Sequence, residues 1–125
     1  MRIVVDASAL AAVVFNEEGA QAVAQKLSGA VVYAPELLRF ELASAAVKKA
    51  RQHPDLAPRI MERLSDALEG PQHIQWHDVH PVDVAMLAQL TGLSAYDASY
   101  LWLAGWLEAD LVTLDRRLAT AIAPV

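Results

Sequence analysis

Along the chain, apolar positions keep two different rhythms. Short, nearly unbroken apolar runs at Arg2 to Val5, Val31 to Ala34, Ile74 to Trp76 and Leu111 to Leu114 predict buried strands. Between them apolar residues recur at helical spacing. This predicts helices over Ser8 to Phe15, Glu18 to Leu27, Glu36 to Arg51, Pro58 to Leu68, Val82 to Leu90, Ala95 to Leu107 and Arg116 to Ala121. Gly29, Pro35, Pro54, Gly70, Pro71, Pro81 and Gly92 fall at the joins, where chain breakers belong. Strands alternating with helices are the signature of an α/β domain on a parallel sheet. No repeat, low-complexity tract or linker interrupts the alternation, so one domain is expected over residues 1–125.

Composition narrows the class. With 125 residues and 55% hydrophobic content the chain can bury one packed core. The absence of cysteine excludes disulfides, thiolate metal sites and a cysteine nucleophile, and makes a cytoplasmic location the default expectation. The longest charge-free stretches, Val84 to Tyr96 and Ala98 to Leu107, fall short of the roughly 20 residues that a spanning helix needs, so no membrane association is expected. The apolar start faintly resembles a signal peptide, but Asp6 interrupts the core that such a segment requires.

The acids at the joins carry the chemistry. Asp6 ends the first apolar run and Asp115, in LVTLDRRL, ends the last; each precedes a helix. Both therefore belong at the carboxyl edge of a parallel sheet, where open α/β folds bind ligands. Each also suits a helix N-cap. Asp97 follows Ser94 by three residues, as in a capping box, in the turn of a helix that attracts negative charge. Glu41 is harder to explain. Its helical neighbours Leu37, Leu38, Ser44 and Ala45 form a largely apolar or small-residue face, and no cation stands at helical spacing. Either that face meets solvent, or the missing positive charge comes from outside the chain.

If Asp6, Glu41, Asp97 and Asp115 converge, their charges repel unless a divalent cation sits among them. An all-oxygen set without histidine or cysteine suits Mg²⁺ or Mn²⁺, which keep several of their waters. Such a water loses its proton readily and attacks phosphorus, so phosphodiester hydrolysis is the natural chemistry.

At these residues the sequence resembles the PIN-domain family, and within it the toxin subunits of VapBC-type toxin–antitoxin pairs. VVDASALAAVVFNEEG, APELLRFELASA, LSAYDASYLWLA and LVTLDRRLA resemble the family's four motifs, in order and at family-like spacing, over nearly the whole chain. The resemblance implies a central parallel sheet of about four to five short strands with helices on both faces. It also implies Mg²⁺-dependent endoribonuclease activity, homodimerisation and inhibition by a small cognate antitoxin. Asp6, Glu41 and Asp97 then hold the principal metal, and Asp115 holds a second ion or orients the attacking water. Ser8 and Thr113 match the family's supporting hydroxyls. Taken alone, Ser8 reads as a helix-start residue and Thr113 as a β-branched strand residue. The sequence departs from the pattern at AIAPV, which leaves any final edge strand very short or absent.

Other signals pull elsewhere. A net charge of −5 and a pI near 5.2 are unusual for a nucleic-acid binder. Arg116 and Arg117 follow Asp115 and are candidate RNA contacts, while Lys48, Lys49 and Arg51 cluster at one helix end. His73, His77 and His80 invite a zinc reading, but on a strand His80 leaves the face that His73 and His77 share. Trp102 and Trp106, with Leu103 and Leu107, read most simply as core, and otherwise as a dimer seam. ALAAVVF and AVAQKL are candidate walls of an antitoxin groove. The competing classes are a non-catalytic cation- or protein-binding module and a DNA-directed nuclease. An aspartyl phosphatase is disfavoured because Ser8 stands where its second acid belongs.

Overall fold

The computed structural model describes residues 1–70 and 73–122. Strands β1 (Arg2–Val5), β2 (Val31–Pro35), β3 (Ile74–His77) and β4 (Asp110–Val112) form one sheet in the order β3-β2-β1-β4. Every pairing is parallel. Described helices are α1 (Ala7–Val14), α2 (Ala20–Leu27), α3 (Leu37–Gln52), α4 (Ala57–Glu69), α5 (Pro81–Thr91), α6 (Ala95–Leu107) and α7 (Arg116–Ile122). A 3₁₀ turn at Pro54–Leu56 joins α3 to α4. The strand order runs outward from β1 in both directions, so right-handed crossovers put α1 to α4 on one face and α5 and α6 on the other.

The two central strands are apolar on both faces, as a parallel sheet covered on both sides requires. Ile3, Val4, Val5 and Ala34 are buried there against Leu38 and Leu42 of α3, Tyr100 and Leu103 of α6, and Leu118 of α7. Chain breakers set the ends. Gly92 takes φ +75° at the end of α5, a conformation that favours glycine, while its N–H closes the last turn on the Ala88 carbonyl.

All elements expected from the sequence are present, most ends lying within one residue of expectation and two lying two residues away. The second helix starts at Ala20 rather than Glu18, because Gly19 sits at φ +89° against the Leu114 side chain. The last strand ends at Val112 rather than Leu114, because Thr113 and Leu114 leave the ladder to bond Asp6 and Ser8. The expected break at Pro71 and the AIAPV end beyond Ile122 lie outside the described residues.

One expectation about the core is corrected. Trp106 is 58% exposed, and Trp102, half-buried, stacks on it at 5.3 Å. His80 closes the cluster at 4.6 Å from Trp102 and 5.1 Å from Trp106. Their side of α6 meets α5 at its rim, whereas Leu103 turns inward and is fully buried. No helix among the described residues is long and apolar enough to cross a membrane.

Candidate active site

The register that pairs Val5 with Val112 sets the next residues of both strands, Asp6 and Thr113, side by side at the carboxyl edge. Asp6 N–H bonds the Val112 carbonyl at 3.2 Å, so the pairing extends one residue past the strand. The Asp6 carboxylate is buried and accepts three hydrogen bonds, leaving acceptor capacity on Oδ2. Its Oδ1 accepts from the Ala9 N–H at 2.9 Å and from the Ser8 hydroxyl at 2.8 Å. Its Oδ2 accepts from the Thr113 hydroxyl. Asp6 is thus the N-cap of α1 and, at the same time, the centre of a polar network.

Those hydroxyls carry the network into the next loop. The Leu114 N–H donates to Ser8 Oγ at 3.0 Å, and the Asp115 N–H donates to Thr113 Oγ1 at 3.0 Å. Each hydroxyl proton is committed to Asp6, so the 3.3 Å approach of Ser8 Oγ to Thr113 Oγ1 is contact between two acceptors. Asp115 Oδ1 in turn accepts from the N–H groups of Arg117, at 2.8 Å, and Leu118, at 3.3 Å, and caps α7. The capping reading and the site reading are therefore compatible for both acids.

Glu41 and Asp97 arrive from α3 and α6. Ser94 Oγ accepts the Asp97 N–H at 3.1 Å, the first half of a capping box, which fixes Asp97 in the opening turn of α6. Glu41 is half-buried, and it has a partner that the local sequence did not reveal: the Tyr100 hydroxyl donates to its Oε1 at 2.5 Å. Tyr100 lies 59 residues away in sequence, so only its spacing of three from Asp97 on one helix links it to the site.

The electrostatics tie the four acids together. Burial pushes the Asp6 carboxyl above its ordinary range, against the pull of hydrogen bonds from Thr113, Ala9 and Ser8, and the nearby charge of Asp115 pushes the same way. Burial also raises Glu41; Tyr100 opposes this, while Asp97 and Asp6 add to it. Burial and Glu41 hold the Tyr100 hydroxyl far above the usual tyrosine range, so it remains a donor.

Whether these residues suit a divalent cation is decided by the donor set. All four are oxygen donors, and the ionised forms of Asp6 and Glu41 are disfavoured by burial and by the neighbouring acids, the situation a hard cation relieves. Among the described residues no group of three or more Asp, Glu or His side chains is gathered closely enough to hold a metal ion as it stands. The donor chemistry fits an ion that takes a few carboxylates and completes its shell with water, as Mg²⁺ and Mn²⁺ do.

The remaining candidates are dispersed. Arg116 and Arg117 are exposed at the start of α7, and Arg117 also reaches the Gly92 carbonyl at 3.4 Å. Lys49 pairs with Glu17 and is not part of an open basic patch. His77 Nδ1 lies 2.6 Å from the Asp78 carbonyl, and His80 faces Asp83 at 3.5 Å as well as the tryptophans.

A family model described as the PIN domain matches residues 3–122. Over 123 residues the chain is 33% identical to Ribonuclease VapC3 of Pyrobaculum aerophilum, an alignment covering 95% of this chain and 93% of that protein. Among solved structures, PAE2754 from Pyrobaculum aerophilum superposes with a TM-score of 0.74 at 28% identity, covering 97% of this chain and 87% of that one. VapC20 of Mycobacterium tuberculosis, described as a sarcin-ricin loop cleaving toxin, superposes with a TM-score of 0.70, covering 98% and 96% of the two chains. Its 14% identity makes that a likeness of fold alone.

Proposed function

This chain belongs to the PIN-domain family, and from that premise we propose that it is a metal-dependent endoribonuclease, the toxin of a type II toxin–antitoxin pair. The observation that carries the proposal is the network around Asp6. Two hydroxyls from distant parts of the chain orient one buried carboxylate, the charge of Asp115 acts on it through space, and it acts in turn on Glu41. A simple N-cap needs no such arrangement. The ribonuclease named as the 33%-identical relative points the same way.

In this reading Asp6, Glu41 and Asp97 hold the principal cation, and Asp115 holds a second ion or orients the attacking water. Bound Mg²⁺, or Mn²⁺ in its place, supplies an acidified water and steadies charge developing on the phosphate. Ser8 and Thr113 keep the Asp6 carboxylate in one orientation through their hydroxyls. Arg116 and Arg117 meet RNA phosphates from the exposed start of α7.

The proposal extends to a single nuclease domain over residues 1–125 working in the cytoplasm. A small antitoxin would seat apolar side chains in a groove of about 410 Å³ lined by Leu10, Val13 and Val14 of α1 and Leu27 of α2. Homodimerisation fits the exposed stripe of Val82, Met86 and Leu90 on α5.

The test is cleavage of pooled cellular RNA and single-stranded DNA by antitoxin-free protein with Mg²⁺, with Mn²⁺ and with chelator, beside Asp97→Asn. Metal-dependent RNA cuts that disappear in the variant are expected. Cleavage of DNA alone would move the assignment to a DNA nuclease. No cleavage of either polymer would leave a cation- or protein-binding module.

A further inference from the structure

Tyr100 combines two properties that core packing alone does not ask for. Its side chain is 1% exposed, and its hydroxyl is spent on a carboxylate of the proposed metal site, at 2.5 Å from Glu41 Oε1. The same helix brings Asp97 to Glu41 from one turn earlier, since residues three apart share a helix face. Thus α6 acts on Glu41 in two opposite senses: the Asp97 charge repels it and the Tyr100 hydroxyl attracts it. Glutamate is long and rotatable, and with both Asp97 and Asp6 repelling it a carboxylate at this place swings toward water unless something holds it. The tyrosine ring has two torsions and is locked in the core beside Leu38, Leu42 and Leu103, so its hydroxyl is a fixed point.

We infer that Tyr100 is a positioning residue for Glu41: its hydroxyl clamps Oε1 and so presents Oε2, which accepts no hydrogen bond from the described residues, to a divalent cation. The inference rests on the reading of Glu41 as a metal ligand. Partners of this kind, one shell behind the ligand, typically change metal affinity by about 10- to 100-fold. Tyr100→Phe keeps the ring and its packing and removes only the clamp, and half-buried Glu41 then finds water for Oε1.

The experiment is calorimetric titration of Mn²⁺ into the metal-free full chain, for the parent, Tyr100→Phe and Glu41→Gln, with thermal melting of each in chelator. Tyr100→Phe is expected to bind Mn²⁺ about 10- to 100-fold more weakly than the parent, with nearly the parent's metal-free midpoint. Saturating Mn²⁺ should restore its turnover, because the ligand itself is still there. A parental Mn²⁺ constant in Tyr100→Phe beside a weakened one in Glu41→Gln would overturn the positioning role and leave the metal site standing. Parental constants in both variants would overturn the metal reading of Glu41 and the inference with it. A lowered midpoint with an unchanged Mn²⁺ constant would make Tyr100 a packing residue only.

Discussion

Replacing Asp6 in two ways separates what its shape does from what its charge does. Asp6→Ala removes the N-cap of α1, worth about 1 kcal/mol. It also strips the acceptor from the Ser8 and Thr113 hydroxyls, and orphaning such groups costs about 1–3 kcal/mol. The alanine variant should therefore lose about 2–4 kcal/mol of metal-free stability. Asp6→Asn keeps Oδ1 for Ala9 and Ser8, and its amide can donate to Thr113 Oγ1 while the Thr113 proton turns away. It also removes a charge that burial and Asp115 disfavour, which offsets the lost charge-assisted bonds. Its stability should fall within about 1 kcal/mol of the parent, while metal-dependent cleavage is abolished. Urea unfolding in chelator at neutral pH, followed by tryptophan fluorescence, measures all three proteins. If Asp6→Asn loses as much as Asp6→Ala, the carboxylate charge is a net stabiliser and the picture of a repelled, cation-seeking acid is refuted.

Three further outcomes are expected. A cation that binds only the folded state at 100 times its dissociation constant adds about 2.7 kcal/mol, so excess Mg²⁺ should raise the parent's melting midpoint and move Asp97→Asn much less; equal shifts would exclude a shared site. Asp6 and Glu41 titrate above their ordinary range when folded, so their protonated forms favour the fold. That contribution is complete below the unfolded carboxyl range and fades as pH rises through the folded values. The metal-free parent should therefore gain stability as pH falls from neutral toward the ordinary carboxyl range, and more than Asp6→Asn does; parallel profiles would contradict the assigned cause. Leu90→Glu, on the exposed α5 stripe, should halve the mass seen by sedimentation and leave the melting midpoint nearly unchanged, whereas an unaltered mass would place any dimer contact elsewhere.

The alternation of short apolar runs and amphipathic segments contained the architecture, because a strand buried on both faces and a helix buried on one leave different periods in the sequence. The candidate acids were legible for a related reason. Asp6 and Asp115 stand where an apolar strand must end, and Asp97 stands beside a recognisable cap. Less visible was whatever depends on contacts across long sequence separations. Trp106 has the same local pattern as Leu103, yet one is 58% exposed and the other buried, since which side of α6 meets the sheet is set by packing. Lys49 looked like part of a basic cluster until Glu17, 32 residues away, proved to be its partner.

The sequence by itself determined a parallel α/β domain, the order of its elements and the four carboxylates at or near its joins, because local propensity and apolar periodicity act over a few residues. Only the tertiary structure decided that Thr113, 107 residues from Asp6, shares its carboxylate with Ser8, and that Tyr100 answers the solitary charge of Glu41. The bonds from Thr113 and Tyr100 exist because parallel register and helix packing bring distant residues within 3 Å, a constraint that no local pattern records.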